Sequence, residues 1–385
     1  MRPALLVVLL ALPACRSPER QTTALDGRLV GRAGSEPYVL PTERCGDYFF
    51  VNAEINEQGP FRMLVDTGAE GTLLSPDVGE AIGTTAPAFT SLTDAVGNVS
   101  PVDGGARIET LRVGAFERGP CIAVVADLSR SEPATGVIDG VLGMDLLNDC
   151  IITFDYRGSQ VRVGGEPPDE REGASVCRDV GHRVPTILAR FGSTEVPVVV
   201  DTGSTAGIAG APVDSDFSAD DVIPVGVNLS HGGVSLRYAM RLGYPVTIGP
   251  LRLDSPVITL TRAHPIVGAT LFRDSAVTFD RSRMLIRIDT DRPAPSELFE
   301  ERGCGFAVDP WTDGWMVGRV FAGTPAEEAG IHEGDVIVEL DGRSVHEFTC
   351  GRWSALLEHA DSVKLTILRD DVQMTIDVGV IDLVP

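Results

Sequence analysis

Two aspartates in this chain stand in the same setting. Asp66 lies in MLVDTGAEGTLLS (63–75) and Asp201 in VVVDTGSTAGIAG (198–210), each at the end of an apolar run and each followed by Thr-Gly and a turn of small residues. A lone Asp-Thr-Gly is a turn signal, because Asp and Gly both favour tight turns at strand ends. Two facing copies offer something a turn does not: a pair of carboxyls close enough to share one proton. Close carboxylates do not both ionise readily, so the pair stays singly protonated over a wide pH range. One member then takes a proton from water while the other gives a proton to a carbonyl oxygen. That is the acid–base work amide hydrolysis needs when no side chain acts as nucleophile.

The elements around the two aspartates repeat as well. At an offset of 135, Gly97-Asn98-Val99-Ser100 falls on Gly232-Gly233-Val234-Ser235, and Val113-Gly114 falls on Ile248-Gly249. The first block then carries ten extra residues around DLSRSEPATG, after which the offset is 125 and GMDLLNDCIITFD (143–155) lies over GATLFRDSAVTFD (268–280). Average residue usage puts a stray Asp-Thr-Gly in about a tenth of chains this long. Two copies inside a colinear duplication therefore mark two copies of one small fold. Short Val, Ile and Leu runs punctuated by 26 Pro and 42 Gly make that fold β-rich. A short helix is expected near Ser75-Pro76, where Ser caps and Pro fits the first turn.

Apolar-apolar-Asp-Thr-Gly followed by an apolar-apolar-Gly element (Val141-Leu142-Gly143 and Ile266-Val267-Gly268) resembles the aspartic proteases. Asp-Thr-Gly-Ala at 66–69 and the small lobes are closer to the retropepsin-like branch than to pepsin. The resemblance implies a mainly β chain with two pseudo-symmetric acid-protease β-barrel lobes, and a catalytic dyad of Asp66 and Asp201. Thr67 and Thr202 would lock the two loops across the dyad, and Gly68 and Gly203 would let backbone amides approach the carboxyls. The Gly-rich stretches 93–105 and 228–238, with Gly97, Asn98, Gly232 and Gly233, would be flaps. Ser204 stands where the first copy has Ala69, and is a candidate donor to Asp201; which aspartate holds the proton stays open. A catalytically silent, peptide-binding scaffold of the same shape is the alternative. A homodimer pairing its lobes between chains is another, although the short linker favours pairing within one chain and a monomer.

A third block reads GCGFAV from Gly303, then GTPAEEAGI (323–331) and EGDVIVELDGRSV (333–345), and resembles a PDZ domain. Thr324-Pro325 should open a short helix that Gly330 ends, and Trp353, Leu356, Leu357 and Ala360 mark one face of a second. By resemblance, the amides of Cys304, Gly305 and Phe306 would hold a peptide carboxylate, and the strand from Phe306 would pair with that peptide. No Gly-x-Ser-x-Gly or Gly-Asn-Ser-Gly-Gly nucleophile turn occurs in the chain.

The start of the chain resembles a bacterial lipoprotein signal: Met1-Arg2, an apolar run from Ala4 to Leu12, then Leu-Pro-Ala-Cys with Cys15 as the lipidated residue. Cleavage after Ala14 with release of a soluble protein is the alternative. Either way the expectation is a bacterial cell-envelope protein, lipid-anchored in the first case. The other six cysteines then fit disulfides: Cys121 with Cys150, both absent from the second copy; Cys45 with Cys177 across the lobes; and Cys304 with Cys350. No Cys-x-x-Cys or His-Glu-x-x-His occurs, so no metal or cofactor is expected. The net charge of -23 with a single lysine, Lys364, argues against nucleic acid, whose binding draws on clustered cations. Expected divisions are the signal at 1–15, a tether at 16–44, lobe one at 45–163, a linker at 164–175, lobe two at 176–290, a linker at 291–302, and the PDZ domain at 303–385.

Overall fold

The structure is a computed structural model that describes residues 36–85, 91–93, 99–102, 104–129, 136–213, 221–230, 233–261, 264–291, 301–309 and 314–385. The signal segment and Cys15 lie outside them. The chain is mainly β, in curled half-barrel sheets with a smaller C-terminal sheet domain.

In the first lobe, β1 (Tyr48–Ile55) and β2 (Gln58–Val65) form a hairpin. Its turn residues Asn56 and Glu57 both have positive φ, 51° and 66°, the mirror-image turn that matches strand twist. Phe49, Val51, Ala53 and Ile55 of β1 alternate into the core, and β2 is buried at Met63, Leu64 and Val65, its last residues before Asp66. The helix α1 (Pro76–Ile82) begins where expected, with Ser75 Oγ accepting from the Val78 amide at 3.4 Å. β3 (Gly140–Leu142) runs parallel to β2, and the Asp66 amide donates to the Leu142 carbonyl at 3.1 Å. The apolar-apolar-Gly element is thus the strand that flanks and fixes the aspartate strand. β4 (Ile151–Asp155) follows.

The second lobe repeats this plan. β5 (Thr186–Phe191) and β6 (Thr194–Asp201) form the hairpin, and β7 (Ile223–Ser230) pairs with β8 (Gly233–Arg241). β9 (Ile266–Gly268) lies parallel to β6, with Asp201 opposite Gly268. β10 (Ser275–Asp280) then pairs antiparallel with β4 in a six-stranded sheet shared by the lobes. There Thr153 sits opposite its own repeat copy Thr278, their hydroxyls 2.9 Å apart. The pseudo-two-fold axis of the duplication passes through that pair, and one hydrophobic core runs on through both lobes.

Two boundaries differ from expectation. The tether expected at 16–44 is built into the fold from its last residues: Tyr38–Val39 extends the shared sheet, Thr42–Cys45 pairs with β1, and Leu40 is buried. The linker expected at 164–175 contains a helical turn, Glu170–Ser175, capped by Asp169.

The third block forms a six-stranded sheet with β11 (Phe306–Asp309) at its edge, paired among the described residues to β12 (Trp315–Val320) alone, and with α2 (Arg352–His359) packed by Trp353 and Leu357. It is fastened to the first lobe by a disulfide between Cys45 and Cys350, 305 residues apart. This corrects all three expected pairings. Cys150 is buried where its sulfur accepts from Arg118 Nη2 at 2.6 Å and is not joined to Cys121; Cys177 lies on a strand of the shared sheet; Cys304 is buried in the core of the third block. Comparing lobe with lobe identifies no partner lying outside both lobes, which is why Cys350 was misassigned.

Candidate active site

The duplication brings Asp66 and Asp201 together at the lobe boundary. Each carboxyl is first held by its own loop: Asp66 Oδ1 accepts from the amides of Gly68 at 2.7 Å and Ala69 at 3.2 Å, and Asp201 Oδ1 from the Gly203 amide at 2.9 Å. Gly68 and Gly203 are required for the approach. A Cβ on Gly68 would lie 2.4 Å from Asp201 Cγ, and one on Gly203 would lie 2.3 Å from Asp66 Cγ, so each glycine is where the opposite carboxyl packs.

Beneath the carboxyls the threonines cross over. The Thr67 amide donates to Thr202 Oγ1 at 3.0 Å and the Thr202 amide to Thr67 Oγ1 at 3.1 Å. Each hydroxyl passes its own proton on to the opposite strand, Thr67 to the Val200 carbonyl at 2.6 Å and Thr202 to the Val65 carbonyl at 3.0 Å. Both threonines are fully or nearly buried. This network leaves the two loops no freedom to slide, so the carboxyl separation is set by buried hydrogen bonds.

Burial raises both carboxyls above the ordinary aspartate range. Asp201 is raised well above it, by burial first, then by the charge of Asp66 beside it and by the hydrogen bond between the two side chains. That same bond, with the amides of Gly68, Ala69 and Gly203, works against burial at Asp66. Both carboxyls being raised, the pair holds one proton over a wide pH range. Ser204 contributes through its amide to Asp201, while its hydroxyl accepts from the Ala206 amide at 3.2 Å. The Ser204 amide at Asp201 is the counterpart of the Ala69 amide at Asp66; the unmatched donor is the Gly203 amide, which acts on both carboxyls.

Several residues around the dyad were not marked by the sequence. Arg183 of the second lobe donates to Glu70 of the first at 2.7 Å. At the symmetry-related place, Tyr48 of the first lobe is hydrogen-bonded to Thr205 of the second, and burial pushes its phenol up to about 12. Asp47, beside Tyr48, is buried and accepts from Thr270 Oγ1 at 2.8 Å and Arg273 Nε at 2.9 Å. Thr72 Oγ1 donates to the buried side of Asp145 at 2.8 Å, and burial raises that carboxyl too. The offset of 135 maps Tyr48 onto Arg183 and Glu70 onto Thr205, so the signal was present, but the residue types differ and identity between copies could not show it.

Of the flap candidates, Gly97, Asn98 and Gly232 lie outside the described residues. Their flanks are hairpin arms: Ser91–Thr93 pairs with Val99–Pro101, and Gly233 opens β8 against Ser230. In the third block Cys304 is buried, Gly305 has φ 92°, and Phe306 begins β11 with its ring stacked on Trp353 of α2 at 6.4 Å.

Comparison with known proteins follows these divisions. A family model described as aspartyl protease matches residues 51–146, which include Asp66, and a PDZ domain model matches residues 303–380. A curated protein of Synechocystis sp., "Putative serine protease HhoA", is 40% identical over 121 residues, 31% of this chain and 26% of that protein. The chain thus spans about a quarter of that relative's length. A crystal structure of a PDZ domain protein from Parabacteroides distasonis aligns with 21% of this chain and 20% of its own at 26% identity and a TM-score of 0.19. The chain thus carries an aspartyl protease-like domain and a PDZ domain.

Proposed function

We propose that this chain is an aspartic endopeptidase in which Asp66 and Asp201 activate one water molecule. The supporting observation is the carboxyl pair itself, side chain hydrogen-bonded to side chain across a pseudo-two-fold axis and clamped by Thr67 and Thr202. A water between the carboxyls gives a proton to Asp66 as its oxygen attacks the scissile carbonyl carbon. Asp201 gives its proton to the carbonyl oxygen, so the tetrahedral diol is neutral. On collapse, Asp66 passes its proton to the departing amine and Asp201 recovers one from the diol. The strand pairs Ser91–Thr93 with Val99–Pro101 and Ile223–Ser230 with Gly233–Arg241 would cover the substrate and exclude water during these steps.

The name of the Synechocystis protein points to a serine mechanism for that protein. In this chain neither serine-nucleophile turn occurs, and the aspartates stand in the matched arrangement instead. Cleavage of a peptide library by the purified protein tests the reading. Cleavage blocked by a pepstatin-type inhibitor and lost in Asp66→Asn and Asp201→Asn supports it. Full activity in either variant, or inactivation by a serine-directed phosphonate, sinks it.

We further infer export and lipid anchoring at Cys15 in a bacterial envelope, from the signal-like segment and from a disulfide suited to an oxidising compartment. Palmitate labelling that survives Cys15→Ala would refute the anchor.

A further inference from the structure

The PDZ-like block does not stand apart from the second lobe; it backs the hairpin β7–β8. Along β8, alternate residues face the block. Arg237 Nη1 donates to Glu301 Oε1 at 2.6 Å, Ala239 is buried in a small cluster with Val225, Val257 and Val384, and Arg241 donates to the carbonyls of Val384 at 3.3 Å and Pro385 at 2.8 Å. Strand periodicity puts Leu236 and Tyr238 on the other face, where both are exposed.

The contact reaches β11. Cα atoms of β7 and β11 lie within 8 Å of one another. Among the described residues, β7 pairs only with β8 and β11 only with β12, so each is an edge strand. Stacked sheets sit about 10 Å apart, and these closer approaches between two edge strands point to β7 lying beside the open edge of β11. A third strand between them would need about 9.6 Å, twice the spacing of neighbouring strands. An extended peptide therefore cannot add to β11 where β7 lies beside it.

We propose that the second-lobe hairpin and an extended peptide compete for the open edge of β11, so that peptide binding at the PDZ-like block releases the hairpin. The linkage is reciprocal: whatever loosens the hairpin must tighten the peptide by the same factor. Phe306 stacked on Trp353 makes the α2 side of this edge apolar, so the peptide should end in an apolar residue. The linkage stands apart from the peptidase reading; only its effect on cleavage would depend on that reading.

The test uses the full chain and a labelled decapeptide pool with free C-terminal Val, Leu or Phe. Glu301→Gln and Arg237→Ala each remove the ion pair that pins the hairpin; Glu301→Gln is nearly isosteric and keeps the fold if Arg237→Ala does not. The expected result is about fivefold tighter peptide binding in the variants than in the parent, the low end of ordinary coupling. In the parent, peptide should also speed amide hydrogen exchange in 223–230. Equal affinity in all proteins, no binding by any, or exchange that peptide leaves unchanged overturns the proposal. None of these readouts requires catalysis, so failure of the peptidase reading would be seen separately.

Discussion

Arg183 and Glu70 meet across the lobe boundary at 2.7 Å, at the position where the other half of the molecule places Tyr48 against Thr205. The duplication kept both latches in place and changed their chemistry, one ionic and one neutral. Both side chains of the ionic latch are 33% exposed, so solvent screens it and its net worth is that of a surface pair. A double-mutant cycle with Arg183→Ala and Glu70→Ala, read by urea denaturation, should give a coupling of about 0.5–1 kcal/mol. The coupling should shrink in 1 M salt, where the screening length falls to about 3 Å. A coupling that salt leaves unchanged would mean the two residues act through packing.

The threonine crossover should cost far more to break. Thr202→Val keeps the shape but removes an acceptor from the Thr67 amide and a donor from the Val65 carbonyl, both buried. Each orphaned buried group costs about 1–3 kcal/mol. Denaturation should therefore show a loss of a few kcal/mol for Thr202→Val and little loss for Thr202→Ser, which keeps the hydroxyl. Little loss for Thr202→Val would mean that the hydroxyl's bonds are not what holds the crossover.

The Cys45–Cys350 bridge closes a very long loop and adds to the contacts of Arg273, which joins Asp47 of the first lobe to Glu358 of α2 at 2.9 Å. Non-reducing digestion should recover peptides containing Cys45 and Cys350 linked together, and no Cys121–Cys150 link. Cys350→Ser should lower stability by about 2–4 kcal/mol. Burial pushes the thiols of Cys150 and Cys304 up to about 12, so both should resist alkylation in the folded protein near neutral pH and react once it is unfolded.

What the sequence displayed and what it hid have one cause. Positions on the pseudo-axis face their own copies, so symmetry holds them alike: Asp66 with Asp201, Thr67 with Thr202, Thr153 with Thr278. Self-comparison makes such residues legible, together with the flanking strands that end at Gly143 and Gly268. Away from the axis each copy has its own neighbours. Tyr48 and Arg183, Glu70 and Thr205 diverged as pairs, and no identity was left to detect. Contacts with the third block have no counterpart in the repeat at all, so the Cys45–Cys350 bridge and the Arg237–Glu301 pair appear only when the chain is folded.

The division of the proton gives the sharpest check on the site. Asp201 is raised well above the ordinary 3.8 and Asp66 is raised less decisively, because amides and Asp201 itself support its charge. For a carboxyl whose folded pKa is raised, the stabilising contribution is complete below the unfolded pKa and is lost as pH rises through the folded value. Asp201→Asn stays neutral at every pH and still offers an N–H toward Asp66. It should match the parent in stability near pH 3 and gain on it as pH rises from the unfolded pKa to the folded pKa of Asp201, levelling off at about 1.4 kcal/mol for each unit of the shift. Its peptidase activity should fall by at least about 100-fold, since an amide cannot pass a proton to the substrate. Activity of the parent should rise as Asp66 ionises and fall as Asp201 does. If Asp66→Asn shows the alkaline stabilisation and Asp201→Asn does not, the proton belongs to Asp66 and the roles assigned to the two carboxyls are reversed.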